Sequence, residues 1–583
     1  MAEVLISPGV LARENDQSQI TAGPVQAGAA IIGPTVKGQK NIPKLVTSYS
    51  EYLACFGSTF LSGSNEYTFF NSISAYNYFQ NGGTSLLVTR TASGSFTPAS
   101  SSLIETGSNG PTTGESPFVL ETLAHGTIMN SGFGNSDLPN TANGTLGSGS
   151  VDNFRWEISN PDTSSGVFSV IIRRGDDTAT SKQVVETFTN VSLDPIATNY
   201  ISKVIGDQVQ NVKGTAGDYY LQPSGSFPNA SKYVRVKEVA FQTPNYLDNN
   251  GTAKDQFTGS IPVAQSGSFG SAEGSILPGP ERHGNYYQDV DNTDSQGLVG
   301  ADYSIAIELL ANRDEFRYNL ITSPGLILAN GTTGAGWTTI QSNTETRGDA
   351  IFVGDLVNYA SSLTQVTTQA ASVDSSYVAT YWPWLQVIDP DSRQLVWVPA
   401  STMIPGVYAY NDRAGEPWFA PAGINRGGLG AVNQTERKLT NTNRDALYTG
   451  KVNPIATFPG QGIVVFGQKT LQTKASALDR VNVRRLLITL KNYISQIADT
   501  LVFEQNTAAT RNTFLAQVNP YLESVQQRQG LFAFKVVMDD TNNTPDVIDR
   551  NELIGAVYLQ PTKTAEFIYL DFNILPTGAT FPV

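Results

Sequence analysis

Few residues in this 583-residue chain have the types and spacing that chemistry requires. There are two histidines, His125 and His283, each in a Gly/Ser-rich stretch with no patterned carboxylate or serine beside it. Metal sites and histidine-based triads need such partners, so neither is assigned a catalytic or metal-binding role. The segment G33PTVKGQK has the outline of a phosphate loop. A nucleotide-binding loop puts lysine directly after its last glycine, where the amine reaches the phosphates. Gln39 stands there instead, and Lys40 follows one residue late. Asp389 and Asp391 flank Pro390 in a turn, and Asp539-Asp540 with Asn542-Asn543 read as turn formers rather than cation ligands. A single cysteine, Cys55, excludes internal disulfides and multi-cysteine metal sites, and reads as a small buried residue of a helix. The expectation is therefore no catalytic, metal or cofactor residues, and a protein that is not an enzyme.

One charged pattern is more informative. On a helix opening at D479RVNVRRL, 100° per residue brings Arg480, Arg484 and Lys491 within about 40° of one another. They lie beside an apolar stripe of Val483, Leu487, Leu490, Ile494, Ile497 and Leu501, with Asp479 placed to cap the helix. Such a stripe is either a solvated flank or a face for an acidic partner. Residues 420–583 carry 16 basic against 13 acidic side chains, whereas the rest carry 21 against 38, so the C-terminal part is mildly basic on an acidic body. The net charge of −14 argues against general nucleic-acid binding.

The elements that position these residues read as a multidomain mixture of α/β and α+β. Residues 1–24 form an arm too polar to bury itself. Strand, helix, helix and strand follow in A29AIIG, Tyr49–Phe56, Tyr67–Phe79 and S85LLVTRT, which is crossover logic. From Ala92 to Ser150, and again from Gly206 to Gly300, composition shifts to Ser, Gly, Thr and Asn. These read as two excursions of short strands and long loops, separated by a strand at F168SVIIRRGD and a helix from Asp194. From Asp302, Y318NLITSPGLI reads as a strand, A350IFVGDLVNYASS as a helix, and L385QVID with L395VWVPA as a hairpin. A second helix over about 511–525 and strand-like runs at F532AFKVVM, E552LIGAVYLQ and E566FIYLDFNIL complete the chain. No apolar window is long enough for a membrane helix, and MAEVLISPGV lacks a basic start and apolar run, so folding in a cytoplasm is expected.

D479RVNVRRL, D540TNNTPDVIDRNEL, W418FAPAGINRGGL and Y381WPWLQVIDPDSRQLVWVPA, with S7PGVLARE, A30IIGPTVKG and Y78FQNGGTSLLVTRT, resemble contractile-tail sheath proteins of bacteriophages. The likeness covers about the first ninety and last two hundred residues. It implies an N-terminal linking arm at 1–24, a middle α/β domain of 25–91 with 301–419, β-rich outer material inserted at 92–300, and an α+β C-terminal domain at 420–583. It further implies a helical polymer around an inner tail tube, bound to baseplate and tail terminator proteins, that contracts to drive the tube through a bacterial envelope. Both ends would add strands to neighbouring subunits, through Gly9, Val10, Leu11, Ala12, Arg13 and Glu14 at one end and Phe567, Ile568, Tyr569, Leu570, Asp571 and Phe572 at the other. Arg480, Arg484 and Lys491 would face the tube. The virion tail, assembled in the host cytoplasm, is the implied location. Other readings are the sheath of a phage-derived injection machine such as a tailocin, or a glycan-binding tail protein using Trp382, Trp384 and Trp397.

Overall fold

The computed structural model describes residues 25–62, 65–107, 114–132, 145–275 and 289–569. His283, the N-terminal arm residues Gly9–Glu14, and Leu570, Asp571 and Phe572 lie outside them.

The central body is an eight-stranded sheet. Its strands run in the order Gly462–Val465, Asn453–Phe458, Val378–Trp382, Ile351–Asp355, Leu320–Ile327, Ala29–Gly33, Leu86–Arg90 and Lys44–Val46. The inner six are parallel and each edge strand is antiparallel. Alternate side chains feed two cores. Ala29, Ile31, Leu86, Val88, Ile351 and Val353 pack beneath the helices Tyr49–Phe56, Phe70–Gln80 and Ile404–Ala414. Ala30, Ile32, Leu87 and Phe352 pack beneath Ser304–Ala311, Gly334–Arg347, Leu363–Ala371 and Asn441–Thr449. Helices on both faces explain why these strands are continuous apolar runs.

That same continuity misdirects the reading of A350IFVGDLVNYASS as a helix. Ile351–Asp355 is a fully buried parallel strand, and a short apolar run has no period that separates the two states. The division at residue 420 is also corrected. Asn453 and Pro454 pair with Tyr381 and Trp382, so the central sheet runs on through Val465 and the C-terminal body starts near residue 472.

Residues 92–275 do not make two loop-rich excursions. Their described residues form one seven-stranded antiparallel sheet, in the order Val184–Ser192, Val167–Arg174, Phe154–Asp162, Gln265–Gly270, Pro98–Ser101, Phe118–His125 and Val234–Val239, beside a separate hairpin of Val209–Lys213 and Tyr220–Ser224. One core of Phe118, Leu120, Trp156, Phe168, Val170 and Phe269 serves the whole sheet. The expected helix from Asp194 shrinks to Ile201–Ile205, because the Asp194 carboxylate accepts from the backbone of Ile196 and closes a turn first. A buried junction ties this β-body to the central one. Lys37 donates to the carbonyl of Asp152 (3.2 Å), and buried Arg90 donates to the carbonyl of His125 (2.8 Å).

The C-terminal body pairs the helices Val481–Asp499 and Ala508–Gln527 with a two-stranded antiparallel sheet, Leu531–Val537 and Ala556–Pro561. Leu490 and Ile497 join Phe514, Val518, Leu522 and Leu531 in its core, with Leu487, Ile494 and Leu501 at the margin, so the apolar stripe holds. Asp479 is not the cap. It sits in a short 3-10 turn and pairs with Arg480 (2.9 Å), and the helix begins at Val481.

Candidate assembly interface

A two-stranded ribbon is marginal alone, and each strand exposes a row of backbone donors and acceptors on its outer edge. Here Phe534, Val536, Val557 and Leu559 turn one face of the ribbon onto the helix Ala508–Gln527. Phe532 and Tyr558 stay 76% and 62% exposed. Among the described residues nothing pairs with either outer edge. The ribbon can therefore accept further strands on both sides. Phe567, Ile568 and Tyr569 are exposed and form no strand within the chain, so the expected third strand is not part of this sheet in its described portion.

Arg480, Arg484 and Lys491 do project from one side of the long helix, but that side meets the central body. Arg484 is 5% exposed, lies 4.0 Å from the ring of Tyr377 and donates to the hydroxyl of Ser376. A tube-facing role for Arg484 is corrected on this ground, since a guanidinium stacked in a seam presents no charge to a partner. Lys491 reaches the carbonyl of Gly348 (3.3 Å), which ends the helix Gly334–Arg347. Arg485, on a different side, pairs with Asp412 (2.5 Å) over the ring of Tyr408. The first turns of the helix are thus buried all round, among them Val481, Asn482, Val483, Arg484, Arg485 and Leu486.

Arg480 has another task. Its Nε donates to Glu566 (2.8 Å), and its terminal nitrogen donates to the hydroxyl of Tyr448 (2.9 Å). Gln468 also donates to Glu566 (3.0 Å), as does the Tyr448 hydroxyl. Burial pushes the Glu566 carboxyl up, but these three donors outweigh it and hold the group below the usual range. Burial, and then the hydrogen bond to Glu566, pushes the Tyr448 phenol up. Tyr377, Tyr448, Gln468 and Glu566 carried no local signal, because their partners lie tens of residues or more away in the sequence.

The remaining candidates are structural. Asp389 is buried and accepts from Thr68 (2.5 Å), while Asp391 accepts from Tyr49 (2.8 Å). Asp539 accepts from the backbone of Thr541 (2.9 Å), and Asp540 pairs with Arg511 (2.7 Å). His125 has its Nδ1 toward the backbone N–H of Lys40 (3.5 Å). Burial, then the nearby Arg90 and Arg235, push it down to about 4. Burial raises the Cys55 thiol. Trp382 and Trp384 are core residues, the latter donating to Val357, so they form no exposed sugar platform. Among the described residues no group of three or more His, Cys, Asp or Glu could hold a metal ion. No helix among them is long and apolar enough to cross a membrane.

Residues 296–471 match the phage tail sheath protein central domain, and residues 473–575 match the phage tail sheath C-terminal domain. The tail sheath protein of Vibrio phage KVP40 is 41% identical over 216 residues, which is 37% of this chain and 31% of that protein. That of Enterobacteria phage T4 is 35% identical over 229 residues, 39% of this chain and 35% of that protein. The Salmonella phage ViI tail sheath protein is 35% identical over 199 residues, covering 34% and 32% respectively. The chain thus spans about a third of the length of these relatives. The helical sheath of the anti-feeding prophage in its contracted state aligns with 98% of this chain and 99% of that one, at 16% identity and a TM-score of 0.46.

Proposed function

We propose that this chain, whose residues 296–471 and 473–575 match the phage tail sheath central and C-terminal domains, does the work of a contractile sheath subunit. It polymerises helically around an inner tail tube, bound to baseplate and tail terminator proteins, and shortens to drive the tube through a bacterial envelope. It is a structural protein of the virion tail, assembled in the host cytoplasm, and not an enzyme.

The observation that carries this reading is the C-terminal ribbon. Its two strands, Leu531–Val537 and Ala556–Pro561, leave both outer edges unpaired among the described residues, in the domain that matches the sheath family. Strand addition supplies backbone hydrogen bonds whatever the side chains, while alternating apolar residues fix the register. The two chain ends, Gly9–Glu14 and Phe567–Phe572, are the strands proposed to come from neighbouring subunits. Contacts of this head-to-tail kind generate helices when the rotation does not close. A metastable packing trapped at assembly would store the energy of contraction. A tube contact remains part of the proposal, with Arg484 withdrawn from it and Arg480 and Lys491 engaged within the chain.

Negative-stain imaging of the purified protein tests the class: long hollow polymers are expected, and a strictly monomeric protein at high concentration refutes it. Deleting residues 1–20 should leave a folded protein by circular dichroism that elutes as a monomer. Polymers like those of the full chain would sink the arm-exchange mechanism.

A further inference from the structure

The segment after the ribbon does not stay with the C-terminal body. The backbone N–H of Thr562 still donates to Gly530 (3.2 Å), beside the ribbon. Four residues later, Glu566 lies on Tyr448 and Gln468 of the central body, and on Arg480 at the foot of the long helix. Residues 563–569 therefore form a strap between the two bodies. Beneath it lies a cleft of about 610 Å³, walled by Ser476, Asp479, Arg480, Asn482 and Val483 on one side and by the strap on the other.

Only one of the seven strap residues turns inward. Lys563, Thr564, Ala565, Phe567, Ile568 and Tyr569 are exposed, while Glu566 is four-fifths covered. Its carboxylate is matched by three donors from two bodies, and the helper contacts converge on the same spot. Gln468 also donates to Thr564 (2.7 Å), the Lys469 ammonium sits 3.8 Å from the ring of Tyr448, and Phe567 meets that ring edge-on. Among hydrogen bonds, those with an ionised partner are the strong ones. A strap with no buried apolar side chain has little else to hold it.

We propose that Glu566 is the anchor of the C-terminal arm, a positioning residue that fixes where and in which direction the chain beyond residue 569 leaves the subunit. This rests on the sheath reading above, and it adds a specific device to it. Pinning the arm at its root to both bodies removes conformational freedom before a neighbour is met, so less ordering is left to offset the strand-addition contacts.

The test uses the full chain. Trypsin cleavage after Lys563 and chymotrypsin cleavage after Phe567 are compared in unassembled wild type and Glu566→Gln. Loss of the carboxylate charge should speed both about tenfold, given the strength of charge-assisted bonds. Tyr448→Phe, which removes one donor, should fall between, and Ile568→Ser, an exposed strap residue, should match wild type. Equal rates in wild type and Glu566→Gln overturn the anchor. Assembly is measured on the same samples: Glu566→Gln should give at least about threefold fewer polymers at equal concentration while keeping its circular dichroism spectrum. Wild-type polymer yield from a variant whose strap is cleaved fast overturns the positioning role. Failure of the wild type to polymerise would instead overturn the sheath reading, and leaves the cleavage comparison standing.

Discussion

Among the contacts in the seam between the central and C-terminal bodies is one largely buried pair whose removal has a calculable cost. Arg485 is 4% exposed, and its ion-pair partner is Asp412 at 2.5 Å, on the helix Ile404–Ala414. The Tyr408 ring covers it at 4.7 Å, and Tyr408 is itself bonded to Tyr381 (2.7 Å). Replacing Asp412 by Ala leaves a guanidinium in the seam with no counter-charge. Breaking a buried pair from one side costs about 3–5 kcal/mol. The Asp412 side chain is 31% exposed, so water can take part of its place, and the estimate falls to about 2–3 kcal/mol. Asp412→Asn keeps an acceptor and should lose about half as much. Arg485→Met in the Asp412→Ala background should recover much of the loss, because the uncompensated charge is gone and the apolar stem volume is kept. Urea unfolding followed by tryptophan fluorescence reads the loss, and Trp418, which donates to the carbonyl of Arg528 and packs in the C-terminal core, is the one of the six tryptophans in that body. Wild type, Asp412→Ala, the Arg485→Met single variant and the double variant form a double-mutant cycle with an expected coupling of about 1–3 kcal/mol. An Asp412→Ala protein within about 0.5 kcal/mol of wild type would show that this pair does not hold the seam.

Two further perturbations follow from the same seam and from the β-body, and a third from titration. Arg484→Glu places a carboxylate against Tyr377 where a guanidinium stacks, so it should cost about 3 kcal/mol or more, whereas Lys491→Glu, at an exposed position, should cost less than about 1 kcal/mol. Equal effects in denaturant melts would contradict the placement of Arg484. Replacing 94–147 by a short linker removes the strands Pro98–Ser101 and Phe118–His125 from the middle of the β-sheet and should unfold that body, while replacing 94–288 should leave the central sheet folded, as read by limited proteolysis. Lowering the pH from 7 to 4.5 should move the two bodies in opposite directions. His125, held at about 4 against an unfolded value near 6.5, leaves the folded β-body with fewer bound protons than the unfolded one, so stability falls as pH drops through that window, by about 3 kcal/mol at most. Asp355, pushed up to about 6 by burial, holds a proton that the unfolded chain has lost, so the central body gains over the same window. Calorimetry with His125→Gln and Asp355→Asn assigns the two transitions, and transitions that shift together would refute the opposing signs.

How much of this was legible follows from where each interaction closes along the chain. The helix Val481–Asp499 announced itself, because i, i+3 and i+4 spacing is local and its apolar stripe does pack in the C-terminal core. Its charged side was legible as geometry and misleading as function. Arg480, Arg484 and Lys491 share a side, but only the fold brings Ser376, Tyr377 and Gly348 against it. A basic stripe next to an apolar one has the same pattern whether it meets solvent, a tube or a neighbouring body of the same chain. The β-body was obscured for a related reason. Four of its seven strands lie in Ser/Gly/Thr-rich sequence, and Pro98–Ser101 and Gln265–Gly270 contribute backbone pairing with few large side chains. Their membership in one sheet depends on Trp156 and Phe168 of the intervening segment filling the core for all of them. Domain limits were the least legible, since the strand Asn453–Phe458 returns to Val378–Trp382 after the chain has passed through W418FAPAGINRGGL, where a boundary was expected. The strap makes the same point at the scale of one side chain. Glu566 reads as an unremarkable charge ahead of an aromatic run, and it acquires a role only when Tyr448, Gln468 and Arg480 converge on it from 118, 98 and 86 residues away.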